Sequence, residues 1–173
     1  WRRELWQLIR ETPNLDWLLL TKRPQNIDRY LPDDWGDGYP NVWLGTTVEN
    51  QEELRRRVPH LVAVQARIRF LSCEPLLGPL DLNNIENPAP TGRQWYDLMS
   101  GEIHWVITGG ESGPNFRHAD PDWFRSIRDQ CAAAGVPFLF KQWEGRSQRE
   151  IKALGRELDG VVHDGYPQAL ETI

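Results

Sequence analysis

The chain has two cysteines in 173 residues, no excess of positive charge and no long apolar run. Cys73 and Cys131 stand far apart and form no CxxC pair, which excludes a zinc ribbon, a redox motif and a disulfide scaffold. Cys131 falls on a helix face and reads as a buried thiol. His60, His104 and His163 show no metal-ligand spacing, so no protein-bound divalent metal is expected. A net charge of −5 leaves no broad basic surface to neutralise a phosphate backbone, although a local basic pocket is compatible with it. No stretch approaches the roughly 18 apolar residues of a membrane span, and no secretory signal opens the chain. The expected setting is the cytoplasm, with no membrane partner. There is no internal repeat.

What the sequence does contain is a set of short apolar runs with polar ends. Trp17-Leu18-Leu19-Leu20, Asn41-Val42-Trp43-Leu44, Ile68-Arg69-Phe70-Leu71, Trp105-Val106-Ile107 and Val136 to Phe140 read as strands. They end in Thr21-Lys22-Arg23-Pro24, Gly45 to Asn50, Ser72-Cys73-Glu74-Pro75, Thr108 to Gly113 and Lys141-Gln142-Trp143. Helical patterns separate them, so the reading is α/β with about five parallel strands whose carboxyl ends share one face. In βα barrels and open α/β sheets that face carries the site. A full barrel needs about 250 residues, so 173 residues are expected to form a partial, TIM-like βα barrel.

Residues 1–173 read as a single domain. The chain opens directly on a helical pattern, Trp1 to Arg10, with no capping residue before it, and is therefore expected to be the carboxyl-terminal part of a longer protein. A helix from Pro121 to Ala134 is predicted, with Asp120 as N-cap and Gly135 as terminator. A second starts at Asn50, with Glu53 at the capping-box position, and is expected to end or kink at Pro59. Asp159-Gly160 is a turn between Leu158 and Val161-Val162. Residues 81–101, rich in Asn, Pro and Gly, are expected to be a loop insertion or a lid, with Trp95 and Tyr96 in its middle. Of the nine tryptophans, most fall on strand or helix apolar positions and read as core. Trp143, beside Lys141 and Gln142, reads instead as a site residue.

Taken together, Leu18 to Pro24, Val42 to Asn50, Phe70 to Pro79, Trp105 to Gly113 and Phe138 to Trp143 resemble the successive motifs of a phage and prophage protein family with a three-cysteine motif, regarded as radical-SAM-like. The resemblance covers nearly the whole chain, including the Leu158-Asp159-Gly160 ending. It implies S-adenosylmethionine and a four-iron four-sulfur cluster in the intact protein, the cysteines lying in a missing amino-terminal part. Cys73 and Cys131 lack the spacing to replace them, so the chain alone is expected to hold no cofactor and to be inactive. It would supply barrel wall and substrate-side polar groups for radical chemistry on a small-molecule or nucleobase-like substrate.

Within that frame Lys22, Glu49, Glu74 and Lys141 are the candidate catalytic residues, charged groups of both signs at strand ends where burial needs compensation. Gly109, Gly110, Glu111 and Ser112 are candidates for the cofactor, since a backbone free of Cβ atoms admits a ligand and a carboxylate pairs with an ammonium group. The same residues equally suit a tight turn with Glu111 paired to a basic neighbour. Arg23, Thr46, Asn50, Arg117, Gln142 and Trp143 are the candidate substrate contacts. Two other readings stand beside the first: a barrel-derived binding or phage-interaction protein without catalysis, and a lyase using Lys22 or Lys141 as a Schiff base, which needs a desolvated amine.

Overall fold

The computed structural model describes residues 1–86, 95–96 and 101–167. Helix α1 (Arg2–Glu11) leads into β1 (Trp17–Thr21) and two short 3-10 turns, Pro24–Asn26 and Asp28–Tyr30. Then come β2 (Val42–Thr47), α2 (Gln51–Val62), β3 (Ile68–Cys73), the two-residue strands β4 (Ile85–Glu86) and β5 (Trp95–Tyr96), and β6 (Trp105–Gly109). The chain continues through α3 (Pro121–Ala134), β7 (Phe138–Gln142), α4 (Gln148–Leu154), β8 (Glu157–Leu158) and β9 (Val161–Val162).

Five strands form one sheet in the order β1-β2-β3-β6-β7, every neighbouring pair parallel. The order never reverses, which is the winding of a βα barrel; a doubly wound sheet turns back at a switch point. Alternation along each strand then makes two faces. Val42, Leu44, Leu71, Cys73, Val106, Phe138 and Phe140 pack in one cluster with Trp6 and Ile9 of α1, Leu54, Val58 and Leu61 of α2, and Phe124, Ile127 and Cys131 of α3. All three long helices therefore cover one face. Trp43, Ile68, Phe70 and Trp105 form a second cluster on the other, with Ile107 and Leu139 against it.

The second face is covered from the far end of the chain. Tyr166 stacks on Trp43 and Trp105 at centroid distances of 5.0 and 5.1 Å, and the Trp105 indole N–H donates to Gly165 O at 2.7 Å. Residues 163–165 run along β7, with Phe140 N donating to His163 O and Gly165 N to Phe138 O. This blunts one edge of the sheet. Among the described residues no strand pairs with the opposite edge, β1, and its face residues Leu18 and Leu20 are 40% and 50% exposed.

Local signals act as the sequence suggests at several points. Asp120 caps α3 by accepting from Asp122 N at 2.9 Å, and Gly135 ends it at φ +67°. Asp159 and Gly160 both take positive φ in the β8–β9 turn. Pro59 neither ends nor interrupts α2, which runs on to Val62; it is buried on the packed side of the helix. The strands outlast their apolar runs, so Thr46, Thr47, Ser72, Cys73, Thr108 and Gly109 are sheet residues rather than loop. Within 81–101, β4 and β5 pair antiparallel, Ile85 with Tyr96, and Leu82, Ile85 and Ile103 are buried at the roots of the segment. The remainder of the lid reading concerns 87–94 and 97–100, which lie outside the described residues.

Candidate functional site

The register fixes which side chains share the second face: Leu18 and Leu20 on β1, Trp43, Gly45 and Thr47 on β2, Ile68, Phe70 and Ser72 on β3, Trp105, Ile107 and Gly109 on β6, and Leu139 on β7. Continuing each row by two residues gives Lys22, Glu49, Glu74, Glu111 and Lys141. Lys22, Glu49, Glu74 and Glu111 thereby follow the same face at the carboxyl end of the sheet; on β7 the register slips, Gly109 pairing with Gln142, and Lys141 reaches that end through Glu74. Their contacts form three separate groups.

Lys22 Nζ bonds Glu49 Oε1. The other Glu49 oxygen accepts from Arg57 Nη1 at 2.7 Å, and Arg57 also donates to Thr47 O at 2.7 Å and pairs with Glu53 at 2.6 Å. Lys141 Nζ lies 3.1 Å from Glu74 Oε1, while Ser72 Oγ donates to Glu74 Oε2 at 3.1 Å. Glu111 accepts from Arg117 three times, from its backbone N and Nε at 2.8 Å and from Nη2 at 2.5 Å. A cavity of about 330 Å³ opens between the first and third groups, lined by Lys22, Glu49, Asn50, Glu53, Pro75, Leu77, Glu111 and Arg117. A larger open depression of about 980 Å³ lies elsewhere, between α1 and residues 30–34, with none of these groups in it.

The electrostatics follow from these contacts. Burial by itself would raise the Glu49 carboxyl, but the Lys22 hydrogen bond and the Arg57 charge outweigh it and hold the group below its ordinary range. The Arg117 hydrogen bonds, side chain first and backbone second, bring Glu111 down to about 2. Both carboxylates are held ionised. Burial pushes the Cys131 thiol up to about 12, and Cys73 is also raised well above its ordinary value by burial, so neither is a reactive thiolate. Lys22 and Lys141 have side chains 58% and 56% exposed and paired to carboxylates, so the desolvation a Schiff-base lysine needs is missing.

Several expected contacts have structural partners instead. Thr46 is fully buried on the helix side and donates to Thr21 O at 2.9 Å, so it does not face the mouth. Trp143 packs edge-on against Phe124 and Phe140, with its indole N–H on Glu157 O, and belongs to the helix-side core. Gln142 ties its amide to Gly110 O at 3.2 Å. Asn50 caps α2 through Glu53 N and also lines the mouth. A Cβ on Gly110 would overlap the Glu144 backbone, and one on Gly109 would lie 2.9 Å from Glu74 Oε1, so close approach of neighbouring chain accounts for both glycines. Ser112 and Arg23 are exposed, Ser112 bridging to Gly145.

Arg57 is the principal site residue that motif reading missed. Its signal was present: a cation between Leu54, Val58 and Leu61 on the apolar stripe of α2 has to find buried partners. Glu144 was missed as well, and its Oε1 lies 3.3 Å from His118 Nδ1.

Fold and site together define an α/β protein of barrel winding with a charged, ligand-sized cleft at the strand carboxyl ends. The chain belongs to the family described as "Protein of unknown function (DUF5131)", which matches residues 1–167. No curated protein and no solved structure matches it.

Proposed function

We propose that this chain is the substrate-side portion of a radical-SAM-like phage or prophage protein, supplying barrel wall and polar contacts for chemistry on a small-molecule or nucleobase-like substrate. The convergence of Lys22, Glu49, Glu74, Glu111 and Lys141 at one end of a barrel-wound sheet carries this reading. Lys22 and Lys141 present cations and Glu49 and Glu74 carboxylates, a set suited to orienting a substrate that bears both signs. S-adenosylmethionine with a reduced four-iron cluster would supply the radical.

The described residues do not fit that cluster. Cys73 and Cys131 are buried between sheet and helices, and among the described residues no group of three Cys, His, Asp or Glu is placed to hold a metal. The cluster would be held by other residues, in the amino-terminal part that the resemblance implies. Glu111 is occupied by Arg117, so a cofactor ammonium would have to displace that guanidinium to reach it.

A second reading, a binding protein without catalysis, is favoured by the way the rim charges satisfy one another. Anaerobic iron-sulfur reconstitution separates the two. The chain joined to the coding sequence upstream of Trp1 should acquire a cluster and cleave S-adenosylmethionine when reduced, while residues 1–173 alone should not. An upstream-extended protein that takes up no cluster refutes the radical reading and leaves the binding one.

A further inference from the structure

Beside the mouth, between the end of β1 and α2, lies a cleft of about 430 Å³ lined by Lys22, Arg23, Gln25, Arg56, Arg57 and His60. No carboxylate lines it. Glu49 and Glu53 neutralise part of the charge through Lys22, Arg56 and Arg57, but four permanent cations against two carboxylates leave two positive charges over. Arg23 has no ion-pair partner among the described residues. In a chain of net charge −5 such a concentration is out of keeping with the whole. Arg57 is only 8% exposed and anchored on Thr47 O, so it cannot swing away, whereas Arg56 is 62% exposed and its guanidinium is held by Glu53.

We infer that this cleft is an anion site for the phosphate group of a small phosphorylated substrate. The assignment rests on the mouth being the reaction site proposed above. Lys22 lines both cavities, so a phosphate seated on Arg23 and Arg56 leaves the rest of its ester at Glu49 and the strand ends. Guanidinium forks match the geometry of phosphate oxygens, and the cleft has room for more than the anion alone. A nucleic-acid strand would need a basic track beyond this one cleft, which the net charge does not supply.

Isothermal titration calorimetry of residues 1–173 with inorganic pyrophosphate, phosphate and acetate tests it. Pyrophosphate should bind more tightly than phosphate, and acetate should give no heat. Arg23→Gln and Arg56→Gln, both at exposed positions and checked for folding by circular dichroism, should each weaken pyrophosphate binding by about 10-fold or more. Arg55→Gln, on α2 but outside the cleft, should stay within about twofold. Absence of pyrophosphate binding, or an equal loss in Arg55→Gln, overturns the assignment. The titration needs no cluster, so retained binding in an extended protein without one refutes the radical reading alone, and lost binding in a cluster-bearing protein refutes the anion site alone.

Discussion

Lys141 on β7 reaches Glu74 at the end of β3 across the whole width of β6, Nζ to Oε1 at 3.1 Å, because the β6 residue beneath them is Gly109. A Cβ at 109 would lie 2.9 Å from that same carboxylate oxygen, the far end of a flexible side chain. Gly109→Ala should therefore fold with a loss of at most about 1 kcal/mol while pushing Glu74 off Lys141. Gly110→Ala, one residue on, meets the Glu144 backbone, which cannot rotate away, and should cost about 3 kcal/mol or more. Urea unfolding of the pair checks the contrast; equal stabilities would contradict this account of the two glycines.

Glu49 joins an exposed cation to a buried one. Glu49→Gln leaves Arg57 with Glu53 as its one charged partner among the described residues and should destabilise the chain by about 2–3 kcal/mol. Lys22→Ala removes the exposed partner and should cost less than about 1 kcal/mol. Chemical denaturation of both variants measures the asymmetry, and a Lys22 effect as large as the Glu49 effect would contradict it.

Acid should loosen the rim through Glu111. Its carboxyl sits at about 2 in the folded chain against an ordinary 4.5, so folded protein takes up this proton later than unfolded protein. The resulting stabilisation is fully present above about pH 4.5 and is lost as the pH falls toward 2. Unfolding midpoints followed across that window should fall less steeply in Glu111→Gln than in the parent chain. Identical slopes would mean that the Arg117 contact adds nothing in solution.

Asp120→Ala should cost about 1 kcal/mol by leaving Asp122 N without its acceptor at the start of α3. Thermal denaturation reads this directly, and Asp120→Asn, which keeps an acceptor oxygen, should recover most of it.

The strand ends were legible because the barrel winding keeps every strand pointing the same way, so a polar cluster after each apolar run needed no tertiary knowledge to be placed. Asp120 and Gly135 were legible for a different reason: cap and terminator act within a single turn. Thr46 was misplaced because a one-residue step on a strand changes the face and β2 ran further than its apolar run announced, and Trp143, just past β7, because its packing on Phe124 is a contact between separate units. Pro59 misled because a proline breaker rule counts backbone bonds and omits the packing of Leu54, Val58 and Leu61 around it. Which rim carboxylate meets which cation depends on contacts between separate units, such as Glu49 with Arg57 and Glu74 with Lys141, and no local pattern encodes them.

The sheet order has a consequence for synthesis. Because β1, β2, β3, β6 and β7 lie side by side in the order in which they are made, each strand after β1 finds a hydrogen-bonding partner already emerged from the ribosome, and no later strand of this sheet has to be inserted between two earlier ones. Assembly can proceed from the amino-terminal side in the manner of a zip, with residues 163–165 arriving last to close the final edge. The same arithmetic applies at the open side of β1: a further βα unit made earlier would dock there without disturbing any existing register.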